Sequence, residues 1–228
     1  MAILSEGNPK ALKKSQPDCY IRNHYGKKQV CIKPRKTSRR TSAATLERRE
    51  KFRLSIILSK AAAVYPEIQQ IWKKLFPNAH SVFALLIKEN YDHISLTGFT
   101  TDNLITPLGF PLPVTGMFFG EMILTLSISE LNNCFELSGS EKKLSIIILI
   151  SCRNDTVKSS KQSEIVPFYK RIEGFDFSSP ASFQFDFDSR QSTLFKNSTN
   201  IILFASVITL KSDGKSVHYS ATYTKILK

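Results

Sequence analysis

Cationic and aromatic side chains are interleaved in the first quarter of the chain, where they give the strongest chemical signal in the sequence. A Tyr-Ile-Arg-Asn-His-Tyr-Gly-Lys-Lys stretch begins at Tyr20, and a Pro-Arg-Lys-Thr-Ser-Arg-Arg run begins at Pro34. Lys and Arg can contact phosphates or acidic protein groups, and tyrosine rings can stack on bases. The candidate residues for assembly or nucleic-acid contact are Tyr20, Arg22, Tyr25, Lys27, Lys28, Lys33, Arg35, Lys36, Arg39 and Arg40.

The positive charge is concentrated at one end of the sequence. Residues 1–53 hold 15 Lys and Arg against 4 Asp and Glu, whereas residues 54–228 hold 17 against 15. Most of the net charge of +13 therefore lies in the first quarter, ahead of a nearly neutral remainder. Charge of this kind indicates association without naming the partner. Nucleic acid, acidic groups on another copy of the chain and simple solvation all remain open.

Catalytic chemistry has little support in the sequence. The histidines are scattered and form no metalloprotease, nucleophile-elbow or phosphate-loop motif: His24, His80, His93 and His218. Asp186 and Asp188 are two residues apart on an expected strand and could bind a cation, although solvated carboxylates are commoner there. We expect no enzymatic activity, no catalytic residue, no cofactor and no metal, because no convergent set of reactive groups is visible.

The four cysteines do not have the spacing of metal ligands: Cys19, Cys31, Cys134 and Cys152. If the chain folds back around Tyr25, Cys19 and Cys31 face each other. The favoured interpretation is four free thiols, mostly buried, as is usual for cysteine. The sequence leaves the disulfide state of Cys19 and Cys31 open.

The elements that would position the basic residues begin with a short hairpin. Residues 18–33 read as two strands around a turn at Tyr25-Gly26-Lys27, and Pro34 ends the second strand. A two-stranded hairpin is marginal alone in water, so it must dock on its own body or on a neighbouring molecule. We call residues 1–40 the basic arm.

Three helices are predicted over residues 41–90. The first runs over about 42–63, and the residues assigned to its apolar face are Leu46, Phe52, Ile56, Ile57 and Ala63. The second opens at Pro66 and ends before Pro77, with a clean amphipathic pattern in Ile68, Ile71, Trp72, Leu75 and Phe76. A third short helix covers about 80–89.

From Tyr91 onward the apolar pattern changes to a period of two. Met122–Ile128 and Phe183–Phe187 alternate, Leu144–Ile150 is apolar on both faces as in a central strand, and Asp213-Gly214 marks a hairpin. Short strands with no intervening helix predict an antiparallel β-sandwich over residues 91–228. The fold class is therefore α+β: a basic arm with a hairpin, a small helical layer and a C-terminal sandwich.

Targeting signals are not evident in the sequence. The N-terminus lacks a basic region followed by a long apolar run, and no stretch is apolar for the roughly 20 residues of a membrane span. We expect a protein that is cytoplasmic at synthesis, without a membrane span or a small-molecule substrate. An extracellular or virion-associated location after assembly is an open alternative.

The first 90 residues resemble the start of an uncharacterised family of Bacteroidota proteins. The matching pieces are Met1-Ala2-Ile3-Leu4, Gly26-Lys27-Lys28-Gln29-Val30, Pro34-Arg35-Lys36, and a helix start from Thr41 that carries Arg49 and Phe52. The resemblance implies helices first and a β-rich C-terminal half, and it supplies no activity. An arm ahead of a helical layer and a β domain is also similar to phage structural and filament subunits.

Two functions from different classes follow. The leading hypothesis is a non-enzymatic structural subunit that forms a filament, tube or ring, with the arm adding strands to the sheet of another copy. The alternative is a nucleic-acid-binding protein that uses the same arm as an electrostatic clamp. A third class, a carbohydrate-binding or adhesive sandwich, would need an aromatic platform on the surface.

Overall fold

The structure is a computed structural model that describes residues 19–24, 26–32, 42–95, 97–137, 139–155 and 163–228. Contacts divide the chain into two units, residues 1–42 and residues 43–228.

In the first unit, a two-stranded antiparallel hairpin is formed by β1 (Cys19–His24) and β2 (Lys27–Ile32). Gly26 lies between the strands with φ 75°, a left-handed conformation that glycine adopts without strain. The register places Cys31 opposite Tyr20, so the expected facing of the two arm cysteines is wrong. Cys31 is a free thiol.

The second unit begins with the three predicted helices: α1 (Ala43–Ala62), α2 (Pro66–Leu75) and α3 (Val82–Tyr91). Pro66 occupies the first turn of α2, where its missing N–H would have no helical partner. The Ser81 side chain accepts from the Ala84 amide and caps α3. The predicted positions of these helices are confirmed.

The buried face of α1 differs from the prediction. Leu54, Leu58 and Ala62 form its buried row, whereas Leu46 and Phe52 are 56 % and 50 % exposed. The prediction of this face was wrong because two polar residues, Ser55 and Ser59, are buried on it. The positions of the apolar residues alone therefore did not identify the buried face. Within residues 43–53 no side chain is buried, and the core contacts of the helix therefore begin at Leu54.

Eight strands follow in the described part of the second unit. They are β3 (Val114–Phe119), β4 (Ile123–Ile128), β5 (Glu141–Arg153), β6 (Ser163–Glu173), β7 (Ala181–Asp186), β8 (Asn200–Lys211), β9 (Ser216–Tyr219) and β10 (Tyr223–Ile226). A five-stranded sheet has the order β10-β8-β5-β6, with β9 also paired to β8, and a three-stranded sheet has the order β3-β4-β7. All of these pairs are antiparallel, and β5 is the central strand that its apolar run predicted.

The five-stranded sheet has a hydrophobic core on each face. Ile146 and Ile148 of β5 pack in one core with Leu124 and Leu126 of the three-stranded sheet. The alternate residues of β5, Ile147 and Leu149, pack in a second core with side chains of the helices, including Leu54, Ile68 and Trp72. A strand buried on both faces needs apolar side chains at successive positions, which explains the unbroken run in β5.

A fourth helix, α4 (Ser189–Asn197), lies between β7 and β8. The expectation of strands without an intervening helix is therefore wrong, and so is the placement of Asp188 on a strand, because β7 ends at Asp186. Asp188 is the N-cap of α4: it accepts from the Gln191 amide, and the Gln191 side chain accepts from the Asp188 amide. Four helices and three antiparallel sheets in the described residues confirm the α+β class.

The last expected strand, Val217–Ile226, is interrupted at residues 220–222. There the backbone of Phe110 bridges to Ser220, whose own amide still donates to the Val207 carbonyl of β8 at 2.9 Å. The Thr222 hydroxyl accepts from the backbone amides of Ile105 and Thr106 at 2.9 and 3.0 Å. The Thr106 hydroxyl donates to the Ser220 carbonyl at 2.9 Å. These bonds satisfy buried polar groups where the ladder breaks, so the interruption is stabilised.

Candidate functional site

The described part of the basic arm brings three of the predicted contact residues onto one face of the hairpin. Arg22 lies opposite Gln29, and strand alternation puts Tyr20 and Lys27 on the same side, while Lys28 lies on the other side. Tyr20 is 40 % exposed, and the side chains of Arg22, Lys27 and Lys28 are also exposed. The remaining predicted residues lie outside the described residues: Tyr25, Lys33, Arg35, Lys36, Arg39 and Arg40.

An added strand needs an unpaired sheet edge, and most edges of the second unit carry features that oppose pairing. β6 has Pro167 near its middle, which lacks the N–H for a ladder bond. β3 has a register shift between Val114 and Gly116. The edge formed by β9 and β10 is interrupted at residues 220–222. Proline, bulges and short strands are the usual protections of an edge.

The outer edge of β7 has none of these features. Its six residues pair with β4 in unbroken register, and no described strand pairs on the other side. The Phe187 amide donates to the Met122 carbonyl at 2.8 Å, which fixes the phase of the ladder. Alternate residues therefore direct their N–H and C=O groups to the open edge: Ser182, Gln184 and Asp186.

The side chains of those residues are exposed, while Phe183 and Phe185 between them are buried. The side-chain NH₂ group of Gln184 donates to the Asp186 carboxylate at 2.9 Å. β7 thus presents an exposed, regular edge with one negative charge at its end. Asp188, the other carboxylate of the sequence prediction, is engaged in capping α4.

A buried ion pair that the sequence did not reveal connects α2 to the five-stranded sheet. The Glu67 side chain is 1 % exposed, and its Oε1 accepts from Arg171, from the Tyr169 hydroxyl at 2.8 Å and from the Ser145 hydroxyl at 3.1 Å. The Tyr65 ring stacks on that of Tyr169 with centroids 5.4 Å apart. The partners are distant in sequence, so no spacing pattern could have found this group.

Two opposed effects act on the pKa of Glu67. Burial alone would raise it, but hydrogen bonds from its own backbone amide, from Tyr169 and from Arg171 hold the pKa below its usual value. Burial raises the pKa of Tyr169. The carboxylate is therefore ionised and neutralised by Arg171. Such an arrangement anchors α2 to β5 and β6, and it does not supply a general base, whose pKa would have to lie near the working pH.

A second buried carboxylate lies at the end of β5. The Thr209 hydroxyl donates to Glu141 Oε2, and His218 Nε2 lies 3.6 Å from Glu141 Oε1. The Phe135 ring stacks on the His218 ring at 4.5 Å. In a catalytic triad the hydroxyl bonds the imidazole, which bonds the carboxylate. Here the hydroxyl donates directly to the carboxylate, so Thr209 is not activated as a nucleophile.

Across the described part of the chain, no three His, Cys, Asp or Glu side chains converge as metal ligands would. None of the described helices is both long enough and apolar enough to cross a bilayer.

The chain matches no protein-family model and no curated protein sequence. Among solved structures, it has a likeness to a β-glucosidase from Kluyveromyces marxianus in complex with glucose, at 10 % identity and a TM-score of 0.22. The likeness covers 53 % of this chain and 15 % of the glucosidase. At this TM-score it carries no argument about fold or activity.

Proposed function

We propose that this chain is a non-enzymatic structural subunit that self-assembles by strand addition, with the hairpin of one copy pairing to the outer edge of β7 in a neighbouring copy. The observation that carries the proposal is the unprotected edge of β7 in a protein whose hairpin belongs to a separate unit. In this proposal residues 1–40 act as the donor arm, and the two packed sheets act as a sandwich-like body.

The lengths of the two partners agree. Each strand of the hairpin has six residues, and so does β7. At about 3.4 Å per residue, six residues span roughly 20 Å of edge. Pairing along this length would extend the three-stranded sheet, in which strands from another copy would follow β7 in the order β3-β4-β7.

The hydrogen bonds available are enough for a weak contact. Three outward residues of β7 offer three N–H and three C=O groups, and about 1 kcal/mol for each bond gives roughly 6 kcal/mol. Association itself costs an estimated 4–15 kcal/mol, so the backbone bonds alone leave little surplus. We therefore expect assembly that depends on concentration and on repeated contacts along a ring or filament.

Charge supports the choice of β7. Residues 19–32 hold three cations, Arg22, Lys27 and Lys28, and no acid, whereas Asp186 lies at the end of β7. Exposed ion pairs add only about 0.2–1 kcal/mol each. Their effect would be mainly on register and association rate, and it would weaken as salt is added.

The experiment compares Gln184→Pro with Gln184→Ala by sedimentation velocity and negative-stain microscopy. Proline removes the outward N–H of Gln184 without removing a bond to β4, whereas alanine keeps that N–H. We expect Gln184→Ala to assemble like the parent chain and Gln184→Pro to remain small. Deletion of residues 1–40 should have the same effect as the proline. Continued assembly of the deleted chain would remove the proposal.

Nucleic-acid binding is the second candidate, and the shared exposed face of Tyr20, Arg22 and Lys27 favours it. Fluorescence polarisation with a labelled DNA at 50 and 200 mM salt separates the two. A clamp would bind tightly at low salt and lose about 10³–10⁵ in affinity if it makes 6–10 phosphate contacts. A structural subunit should show only weak retention at either salt.

A further inference from the structure

A groove of about 290 Å³ lies where α2 overhangs the edge strand β9. Gln70, Ile71 and Lys74 line it from the helix, and Ser216 and Val217 line it from the strand. This volume is at the lower end of the range for small-molecule sites. The groove is separate from β7 and from the Glu67 ion pair, so it needs its own explanation.

Several hydrogen-bond donors converge on the groove. The Ser216 hydroxyl oxygen is buried and has no partner among the described residues. The side-chain oxygen of Gln70, Oε1, accepts from the Ser216 backbone amide at 3.0 Å. This bond fixes the Gln70 side chain and leaves its NH₂ group as a donor. The Ser216 hydroxyl is itself enclosed, so the donors that the groove offers to a ligand are the exposed side chains of Gln70, Lys74 and Lys215.

The groove also carries positive charge. Lys74 lies in the last turn of α2 and has no ion-pair partner within the described ranges. Lys215 lines the same groove and pairs with the exposed Asp213 at 3.2 Å. The acid on α2, Glu67, is neutralised by Arg171. An anion in the groove would therefore contact Lys74, and also Lys215, whose charge is only partly neutralised by the exposed Asp213.

The remaining lining is apolar. Ile71 is buried, and the side chains of Val217 and Tyr219 complete the wall. The Tyr219 hydroxyl donates to the Leu108 carbonyl at 3.3 Å, so the ring is held in place while its polar atom is occupied. An apolar body attached to the charged group would therefore have a surface to contact.

We propose that this groove binds a small organic acid, with its carboxylate held by Lys74, Lys215 and the side-chain amide of Gln70, and its apolar body on Ile71, Val217 and Tyr219. Carboxylates form strong charge-assisted hydrogen bonds with such donors. The groove is a ligand site that does not depend on strand addition.

Isothermal titration of the full chain with octanoate, octanol and inorganic phosphate tests the assignment. Octanoate has both the charge and the apolar body, whereas octanol lacks the charge and phosphate lacks the body. We expect octanoate to bind at least about tenfold more tightly than either, since hydrogen bonds to charged groups are worth that much. Equal binding of octanol, or no binding of octanoate at millimolar concentration, would overturn the proposal.

A matched pair of variants locates the site. Lys74→Gln removes the unpaired cation, whereas Lys73→Gln makes the same change at the neighbouring position, which lines a different hollow with His80 and Phe83. We expect octanoate affinity to fall about tenfold in Lys74→Gln and to stay within about twofold in Lys73→Gln. Similar affinities in the two variants would place the ligand elsewhere. Fluorescence of Trp72, the sole tryptophan, verifies that both variants are folded.

Discussion

Removing Arg171, whose acidic partner is buried, should destabilise the second unit more than removing a cation whose acidic partner is exposed. In Arg171→Met the Glu67 carboxylate, 1 % exposed, stays buried without its counter-ion. Deleting one partner of a buried pair costs about 3–5 kcal/mol, and because Arg171 is itself 39 % exposed we expect about 2–3 kcal/mol. For a unit of this size that corresponds to a fall in Tm of roughly 4–12 °C.

Urea unfolding followed by the fluorescence of Trp72 measures the change. Trp72 is buried and its indole N–H donates to the Ile105 carbonyl at 3.0 Å, so its emission reports the core between the helices and the sheet. Arg190→Met is the matched control, because its pair with Glu164 is exposed on both sides, and we expect a loss below about 1 kcal/mol.

The pH dependence gives a second test of the same pair. Because the pKa of Glu67 is held below its unfolded value, its ionised form contributes stability that is present above the unfolded pKa, about 4.3, and lost as the pH falls through the folded pKa. In Arg171→Met the carboxylate keeps its burial but loses the cation. The destabilisation should therefore be largest near pH 7 and shrink as the acid becomes protonated.

A double variant separates the ion pair from packing. Glu67→Gln together with Arg171→Met removes both charges and keeps a hydrogen-bond acceptor for Tyr169 and Ser145. We expect it to lie within about 1 kcal/mol of the parent chain, since replacing a whole buried pair is often neutral. If the double variant is as unstable as Arg171→Met alone, the reasoning about an unpaired buried charge is refuted.

Three further predictions concern the core, a helix cap and a thiol. Leu54→Ala should cost about 2–5 kcal/mol in urea unfolding, whereas Leu46→Ala on the exposed side of α1 should cost less than about 0.5 kcal/mol, and equal losses would contradict the buried face. Asp188→Ala should lower the free energy of unfolding by about 1 kcal/mol through loss of the α4 cap, which the same titration measures; no loss would mean that the cap is unimportant. Burial raises the pKa of the Cys152 thiol to about 12, so it should react with Ellman's reagent at pH 8 only after unfolding, unlike the half-buried Cys31.

Local patterns predicted the elements whose burial follows one simple period. The second helix could be predicted because Ile68, Ile71 and Trp72 recur at helical spacing, and all three are buried. The last two residues of the same predicted face, Leu75 and Phe76, are 46 % and 42 % exposed, so that part of the prediction is wrong. The central strand was readable because both faces of β5 are apolar. The buried face of α1 could not be predicted, because Ser55 and Ser59 lie on it and interrupt its apolar pattern.

The remaining features depend on contacts between distant residues. Helix α4 was missed because the alternating phenylalanines of β7 continue to Phe187, and the strand pattern thus masks the cap that starts at Asp188. Glu67 meets Arg171 only after α2 packs across β5 and β6, so no spacing in the sequence marks the pair. The open edge of β7 likewise depends on the strand order, which the sequence does not state.

Hydrogen exchange of the β7 amides, measured as a function of protein concentration, tests the central claim most directly. The amides of Ser182, Gln184 and Asp186 point to the open edge, whereas those of Phe183 and Phe185 point to β4 and serve as internal controls. Strand addition predicts that the three outward amides become protected as concentration rises and exchange rapidly when residues 1–40 are deleted. Outward amides that exchange at one rate at every concentration, in a chain that still assembles, would contradict it.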